Sequence, residues 1–455
     1  MSADGMGETM FRSVNVMSGE VVFERAAQTW TACEQDLLAL QREQQAFAVL
    51  PVNRRTAILL QFAERLAEHR DRLAAMISAE VGRCLRECQA ELDKSLDLIR
   101  YYAHLAPELL AHKTIATQAS LSQVRFEPLG LVLAVMPWNY PVWQVLRFAI
   151  PALCAGNACV VKPAPSVAGV SAALLDLMSD LPVRGAWLAN EDVESAIAFC
   201  DALAFTGSTQ TGRHLAALAG KHLKKTVLEL GGSNAFIVLP DANLVQAAHD
   251  ACASRFRDAG QSCNAAKRII VCDSVADDFL DLFLANVCRL QSGDLASEHT
   301  SLASLHSERL REQVHLQVLD ALENGAELLC GGDKVAGQGY FYQATVLDKV
   351  NPNCRVYSEE VFGPVASVLR ARDADDAIRL ANDNPLGLGA SIYSQNEAAA
   401  WQYAERLHTG AVFINRHTSS DLRLPFGGVK ASGYGRELSE FGLYEFVNVK
   451  SYWQK

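Results

Sequence analysis

Between residues 54 and about 110, apolar residues recur at spacings of three and four, as at Ile58, Leu59, Phe62, Leu66, Leu73 and Ile77, with charged residues between them. That period gives each helix one apolar stripe and predicts a scaffold of amphipathic surface helices, to which the sequence assigns no chemistry. Beyond Gly130 the pattern changes. Short apolar runs appear at 131–136, 159–161, 202–205, 227–230, 235–239, 268–271, 365–369, 390–393 and 411–414, most of them bounded by Gly, Pro or Asn. Buried strands separated by stretches of helical period imply parallel sheets and an α/β fold.

Length changes the picture first. A chain of 455 residues exceeds what one hydrophobic core usually serves, so at least two domains are expected. No apolar run approaches the ~18–20 residues needed to span a bilayer, and the polar start of the chain lacks a signal region. A cytoplasmic chain with no membrane partner is therefore expected. The net charge of −11 argues against nucleic acid as a partner, and the one small basic cluster, Lys221, Lys224 and Lys225, reads as a solvated helix end. The 12 cysteines are scattered, with no CxxC pair and no accompanying histidine pair, so no metal site is expected.

Four segments carry candidate chemistry. Met136-Pro137-Trp138-Asn139-Tyr140-Pro141 ends a strand, and its stiff turn holds an amide able to donate to an oxyanion, or simply an Asn in a turn. Lys162, at the end of another strand, is a phosphate or ribose ligand or a solvated surface Lys. Glu229 lies between leucines and before Gly231-Gly232. A carboxylate there has a raised pKa suited to a general base, or else is a paired structural group. Cys263 lies in the polar loop Gly260-Gln261-Ser262-Cys263-Asn264, well placed for a nucleophile whose own N–H joins an oxyanion hole, or is an incidental loop Cys. No G-x-G-x-x-G follows a strand, and Gly207–Gly212 lacks the Lys-Ser/Thr pair of an ATP-binding loop.

Taken together, Asn139, Lys162, Phe205-Thr206-Gly207-Ser208, Glu229, Cys263, Glu359-Glu360-Val361-Phe362-Gly363-Pro364 and Pro425-Phe426-Gly427-Gly428 resemble, in order and spacing, the aldehyde dehydrogenase superfamily. Glu229 and Cys263 stand 34 residues apart, and Asn139 and Lys162 stand 23 apart. The resemblance extends from about residue 54 to the end of the chain. It implies a Rossmann-like cofactor domain (1–109 and 129–231), an α/β catalytic domain (232–442) and a small oligomerisation β-arm (110–128 and 443–455). It implies that Cys263 attacks the aldehyde, Asn139 holds the oxyanion and Glu229 activates water for release of the acid from a thioester. NAD or NADP would meet Lys162 and Ser166 at the adenine ribose and Gly207 and Ser208 at the pyrophosphate. Glu360 would hold the nicotinamide ribose, with Phe362 and Trp138 beside it.

Further pieces, Trp143-Gln144-Val145, Ala265-Ala266-Lys267-Arg268 and the tail from Gly435 to Leu443, are similar to the short bacterial succinate-semialdehyde dehydrogenases. That likeness assigns the substrate carboxylate to Arg147 and Arg257, with Arg423 at the substrate mouth, and implies succinate semialdehyde as substrate in a homodimer or homotetramer. The rival readings are another aldehyde, such as glutarate semialdehyde or an uncharged one, a CoA-acylating enzyme, which Glu229 disfavours, and a non-catalytic relative. Four departures from the family stand out. Pro165 replaces the acidic residue that disfavours NADP, which predicts tolerance of NADP. The 178–202 stretch is short, Phe148 takes the place of a Lys near the base, and Leu302–Leu305 replaces a Gly-Pro turn with an expected structural effect only.

Overall fold

A computed structural model describes residues 9–455. Each of the nine apolar runs forms a strand. They are distributed over two sheets. The first has the spatial order Gly433–Tyr434, Lys225–Glu229, Ala202–Thr206, Leu131–Val135, Ala158–Lys162, Val183–Gly185. Its last five strands are parallel, so their carboxyl ends share one edge. The second has the order Glu327–Cys330, Thr345–Asp348, Val365–Ala371, Ala266–Cys272, Asn234–Val238, Gly389–Tyr393, Ala411–Ile414, and only its first strand is antiparallel. Strands such as Ala158–Lys162 and Ala266–Cys272 are buried at every position, because helices cover both faces.

Smaller features include a two-stranded antiparallel pairing of Leu386–Gly387 with Val429–Lys430 and three others. Val447–Gln454, Leu121–Pro128 and Lys113–Thr114 form a separate antiparallel sheet. Met10–Val14 pairs with Val21–Ala26 in a hairpin, an element for which the sequence raised no expectation. Gly433–Tyr434, within the stretch read from the sequence as catalytic, adds an antiparallel strand to the first sheet beside Leu228 and Glu229.

The helical stretch from residue 54 resolves into Val52–Glu68, Arg70–Val81 and Leu85–Leu109. Gly82 adopts φ +87° to end the second, as a left-handed cap requires. Leu85–Leu109 packs along Trp143–Cys154, the helix that follows the Asn139 turn, and both are drawn into the site. Among the described residues, no helix is long and apolar enough to cross a membrane.

Candidate active site

Cys263 opens into a cavity of about 150 Å³ between the two sheets, also lined by Lys94, Trp143, Arg147, Arg257, Ser420 and Phe426. That is smaller than the ~300–1,000 Å³ of sites for drug-sized ligands and suits a small molecule. The loop before the thiol has an unusual backbone. Asp258 and Ala259 both take φ +52° and Gly260 takes +73°, so three consecutive residues are left-handed. For the two non-glycines this costs roughly 1–3 kcal/mol each and must be held from outside. Arg83 does so. It is buried, forms ion pairs with Asp258 (2.6 Å) and Glu91, and lies 4.1 Å over the Tyr140 ring. Tyr140 in turn donates to Asp258 Oδ2 at 2.5 Å.

The same bracing reaches the candidate oxyanion donor. Asn139 Nδ2 donates to the Gln261 carbonyl at 3.0 Å. An amide has two N–H bonds, so one remains for a substrate oxygen. Gln261 donates to the Ser304 carbonyl at 3.1 Å and accepts from the His306 N–H at 2.8 Å. The 302–305 segment thus contacts, through the Ser304 carbonyl, a residue two positions before the thiol.

Burial pushes the Cys263 thiol up to about 11, with Lys267 and Arg147 opposing and Glu360 and Glu229 adding. Glu229 ends its strand in full burial, and neither carboxylate oxygen has a hydrogen-bond partner among the described residues. Burial, then the like charge of Glu437, raises it well above the ordinary carboxylate range, against the pull of Arg147 and Arg436. An unsatisfied buried carboxylate near a thiol is a candidate general base. Gly427 packs so close that a Cβ there would lie 2.7 Å from Glu229 Oε1. Phe148, in place of the usual Lys, is buried against Phe446, and the cation near the base is Arg147.

The cofactor candidates lie at the carboxyl edge of the first sheet. Lys162 Nζ reaches Asn190 Oδ1 (3.2 Å), so the shortened 178–202 stretch supplies a partner to this lysine. Pro165 is exposed and opens a short turn with Ser166. Ser208 caps the Thr209–Lys221 helix, accepting from the Thr211 N–H, and the Gly207 N–H donates to the Glu229 carbonyl at 3.0 Å. Glu360 accepts from the Gly232 N–H (3.2 Å) and pairs with buried Lys267, which also donates to the Cys263 and Gly232 carbonyls. Trp138 stacks on His306 (4.2 Å between centroids) and meets Phe362 edge-on.

The sequence expectations divide here. Cys263, Arg147 and Arg257 share one cavity, Asn139 is tied to Gln261 two residues before the thiol, and Glu229 acts on the thiol through its charge. Arg423 does not line that cavity. Its side chain is 79% exposed and pairs with Asp421 at 2.7 Å, two residues back in its own loop. Arg147 faces the cavity and also contacts Glu437, Nε to Oε2 2.5 Å. Sequence reasoning missed Lys94, Glu437, Lys267 and the Arg83–Asp258–Glu91 cluster. Helix Leu85–Leu109 is not chemically silent: Glu87, Ala90, Glu91 and Lys94 form one face of it and line the cavity. Glu91, buried inside an apolar stripe, was the available signal.

Comparison with known proteins agrees with this geometry. The profile of the aldehyde dehydrogenase family matches residues 2–452. The chain is 41% identical over 410 residues to the NAD(P)+ succinate semialdehyde dehydrogenase Sad of Escherichia coli, covering 89% of each chain. It is 41% identical over 460 residues to the NADP+ succinate-semialdehyde dehydrogenase of Deinococcus radiodurans, covering 98% of this chain and 95% of the other. Its structure superimposes on succinic semialdehyde dehydrogenase from Streptococcus pyogenes, solved with NADP+, at a TM-score of 0.94 and 33% identity, covering 97% and 99% of the two chains. This chain belongs to the aldehyde dehydrogenase family and has its fold.

Proposed function

We propose that the protein oxidises succinate semialdehyde to succinate with NAD+ or NADP+. One observation carries the choice of substrate: the cavity at Cys263 is small and has Arg147 and Arg257 in its wall. Of the acids around it, Glu91 and Asp258 pair with Arg83, Glu437 pairs with Arg147 itself, and Glu87 forms no ion pair among the described residues. Arg257 has no acidic partner among the described residues. A guanidinium suits a carboxylate at the far end of a short aldehyde.

In this reading the Cys263 thiolate adds to the aldehyde carbon, and the free N–H of Asn139, with the Cys263 N–H, stabilises the oxyanion. Bound nicotinamide supplies the acceptor for the hydride lost from that carbon. The acyl group is left on sulfur as a thioester. Glu229 takes a proton from water, whose oxygen attacks the thioester carbon, releasing succinate and the Cys263 thiol.

The residues at the sheet edge fit a dinucleotide. The Thr209–Lys221 helix presents its N-terminus and free N–H groups where Gly207 and Ser208 enter it, a place suited to pyrophosphate. Lys162 and Ser166 would hold the adenine ribose and Glu360 the nicotinamide ribose, beside Trp138 and Phe362. With Pro165 in place of an acid, a 2′-phosphate meets no repulsion there, which supports use of NADP. The division into cofactor domain, catalytic domain and arm belongs to the same reading, as does a cytoplasmic homodimer or homotetramer. Val447–Gln454 supports assembly: it is an edge strand with Val449 and Trp453 exposed.

The test is absorbance at 340 nm with succinate semialdehyde and each cofactor, beside Cys263→Ala. Reduction abolished by the substitution is expected. No reduction by the unmodified enzyme with either cofactor would overturn the substrate assignment.

A further inference from the structure

Lys94 stands out among the groups around the cavity. It projects from Leu85–Leu109, sits 4.3 Å over the Trp143 ring and donates to Ser420 Oγ. It forms no ion pair with any described residue, although it is half-buried. Of the acids on its own helix face, Glu91 pairs with Arg83 and accepts from the N–H groups of Val142 and Trp143, whereas Glu87 accepts from the Asp258 N–H at 3.1 Å through one oxygen and forms no ion pair with any described residue. The nearby charges that act on Lys94 most are Arg147 and Arg257, both cations. Burial first, and then those two charges, pushes its ammonium down to about 8.

Lys94 and Arg257 share the cavity wall with Arg147, and of the three cations only Arg147 has an acid paired with it among the described residues, so the wall carries more positive than negative charge, which is unfavourable when partly buried. The arrangement becomes favourable when an anion enters between them. None of the candidate cofactor residues lines this cavity, so the anion is the substrate's own.

We propose that Lys94 is a specificity-determining residue that binds the distal carboxylate of the substrate together with Arg147 and Arg257. The inference rests on the anionic-aldehyde reading above and extends it to a helix the sequence left without a role. Lys94 completes a three-sided cationic wall, with the Trp143 face and Ser420 holding the ammonium in place. It shares the cavity with Cys263 but is held by Trp143 and Ser420, so its role is placed in binding the anionic end of the substrate.

Two measurements test this. The first compares kcat/KM for succinate semialdehyde with that for butanal, its uncharged counterpart of equal length, in the wild type, Lys94→Met and Lys94→Arg. The ratio is expected to fall about tenfold in Lys94→Met, chiefly through KM for the anionic substrate, and to recover largely in Lys94→Arg. The second needs no variant. In the wild-type enzyme, acetylation of Lys94 by acetic anhydride, read by peptide mass spectrometry, should be slowed by succinate and not by butyramide. An unchanged ratio in Lys94→Met, or equal labelling with succinate and butyramide, overturns the role of Lys94 while turnover of succinate semialdehyde upholds the functional reading. Absence of that turnover in the wild type overturns both.

Discussion

Arg147 and Glu437 meet in a buried ion pair, Nε to Oε2 2.5 Å, with both side chains no more than 3% exposed. Two acids, Glu229 and Glu437, therefore share the field of one guanidinium, and their titrations belong to the pair rather than to either residue. Burial pushes Glu437 up and Arg147 pulls it back. Where Glu437 is ionised, its charge adds to burial in raising Glu229. Arg147 thus links the base to the wall that faces the substrate.

Glu437→Gln removes the like charge and leaves all of Arg147's attraction to Glu229. Both changes favour the ionised base, so its pKa falls. The rising limb of kcat against pH should move to lower pH, read at saturating aldehyde and cofactor where thioester hydrolysis limits turnover. A shift to higher pH would contradict the coupling. Breaking a buried pair also costs stability, about 3 kcal/mol by urea unfolding, at the low end because Gln keeps a hydrogen-bond acceptor.

The Cys263 thiol, pushed up to about 11, is mostly protonated at neutral pH in the free enzyme. Because the thiolate is the nucleophile, alkylation by iodoacetamide should rise about tenfold per pH unit from 7 to 10 without a plateau. Peptide mass spectrometry must resolve the site, since Cys288 is exposed and Cys330 is partly so. A plateau near pH 8 would mean that Lys267 and Arg147 outweigh burial.

Strand positions were legible because full burial demands apolar runs, as at 131–136 and 235–239. The candidate segments stood out because each sits at a strand end or loop, where a polar residue between glycines or leucines has few structural explanations. Lys94 and Glu91 were not. They lie on an amphipathic helix whose three- and four-residue period hides a polar group turned inward. The Arg83–Asp258 pair joins positions 175 residues apart, and Glu437 reaches Arg147 from the far end of the chain. Such pairings leave no local pattern. Arg423 failed for the opposite reason: it is near the Pro425–Gly428 turn in sequence, but Asp421 two residues earlier offers a shorter-range partner.

Arg83→Met should expose how much the left-handed turn at 258–260 depends on its brace. The substitution leaves Asp258 and Glu91 buried without their cation, which costs about 3–5 kcal/mol. Urea unfolding checks that loss. In the fraction that remains folded, kcat should fall as well, because Asn139 is tied to Gln261 at the end of the same turn. Full stability with reduced kcat would show that the cluster positions the loop without holding up the fold.

Pro165→Glu places a carboxylate on the exposed turn just past Lys162. The turn tolerates the change sterically: Pro165 begins it, and no hydrogen bond depends on its ring. A 2′-phosphate docked beside Lys162 and Ser166 would then meet a like charge at close range, whereas a 2′-hydroxyl would meet an acceptor. KM for NADP+ should rise about tenfold and KM for NAD+ should stay level or fall, reversing any preference for NADP+. The site is exposed, so the penalty is screened and should shrink in 0.5 M salt. The measurement is initial rate against each cofactor at low and high salt. Equal effects on the two cofactors would place the 2′-phosphate away from this turn and remove Pro165 from the account of cofactor choice.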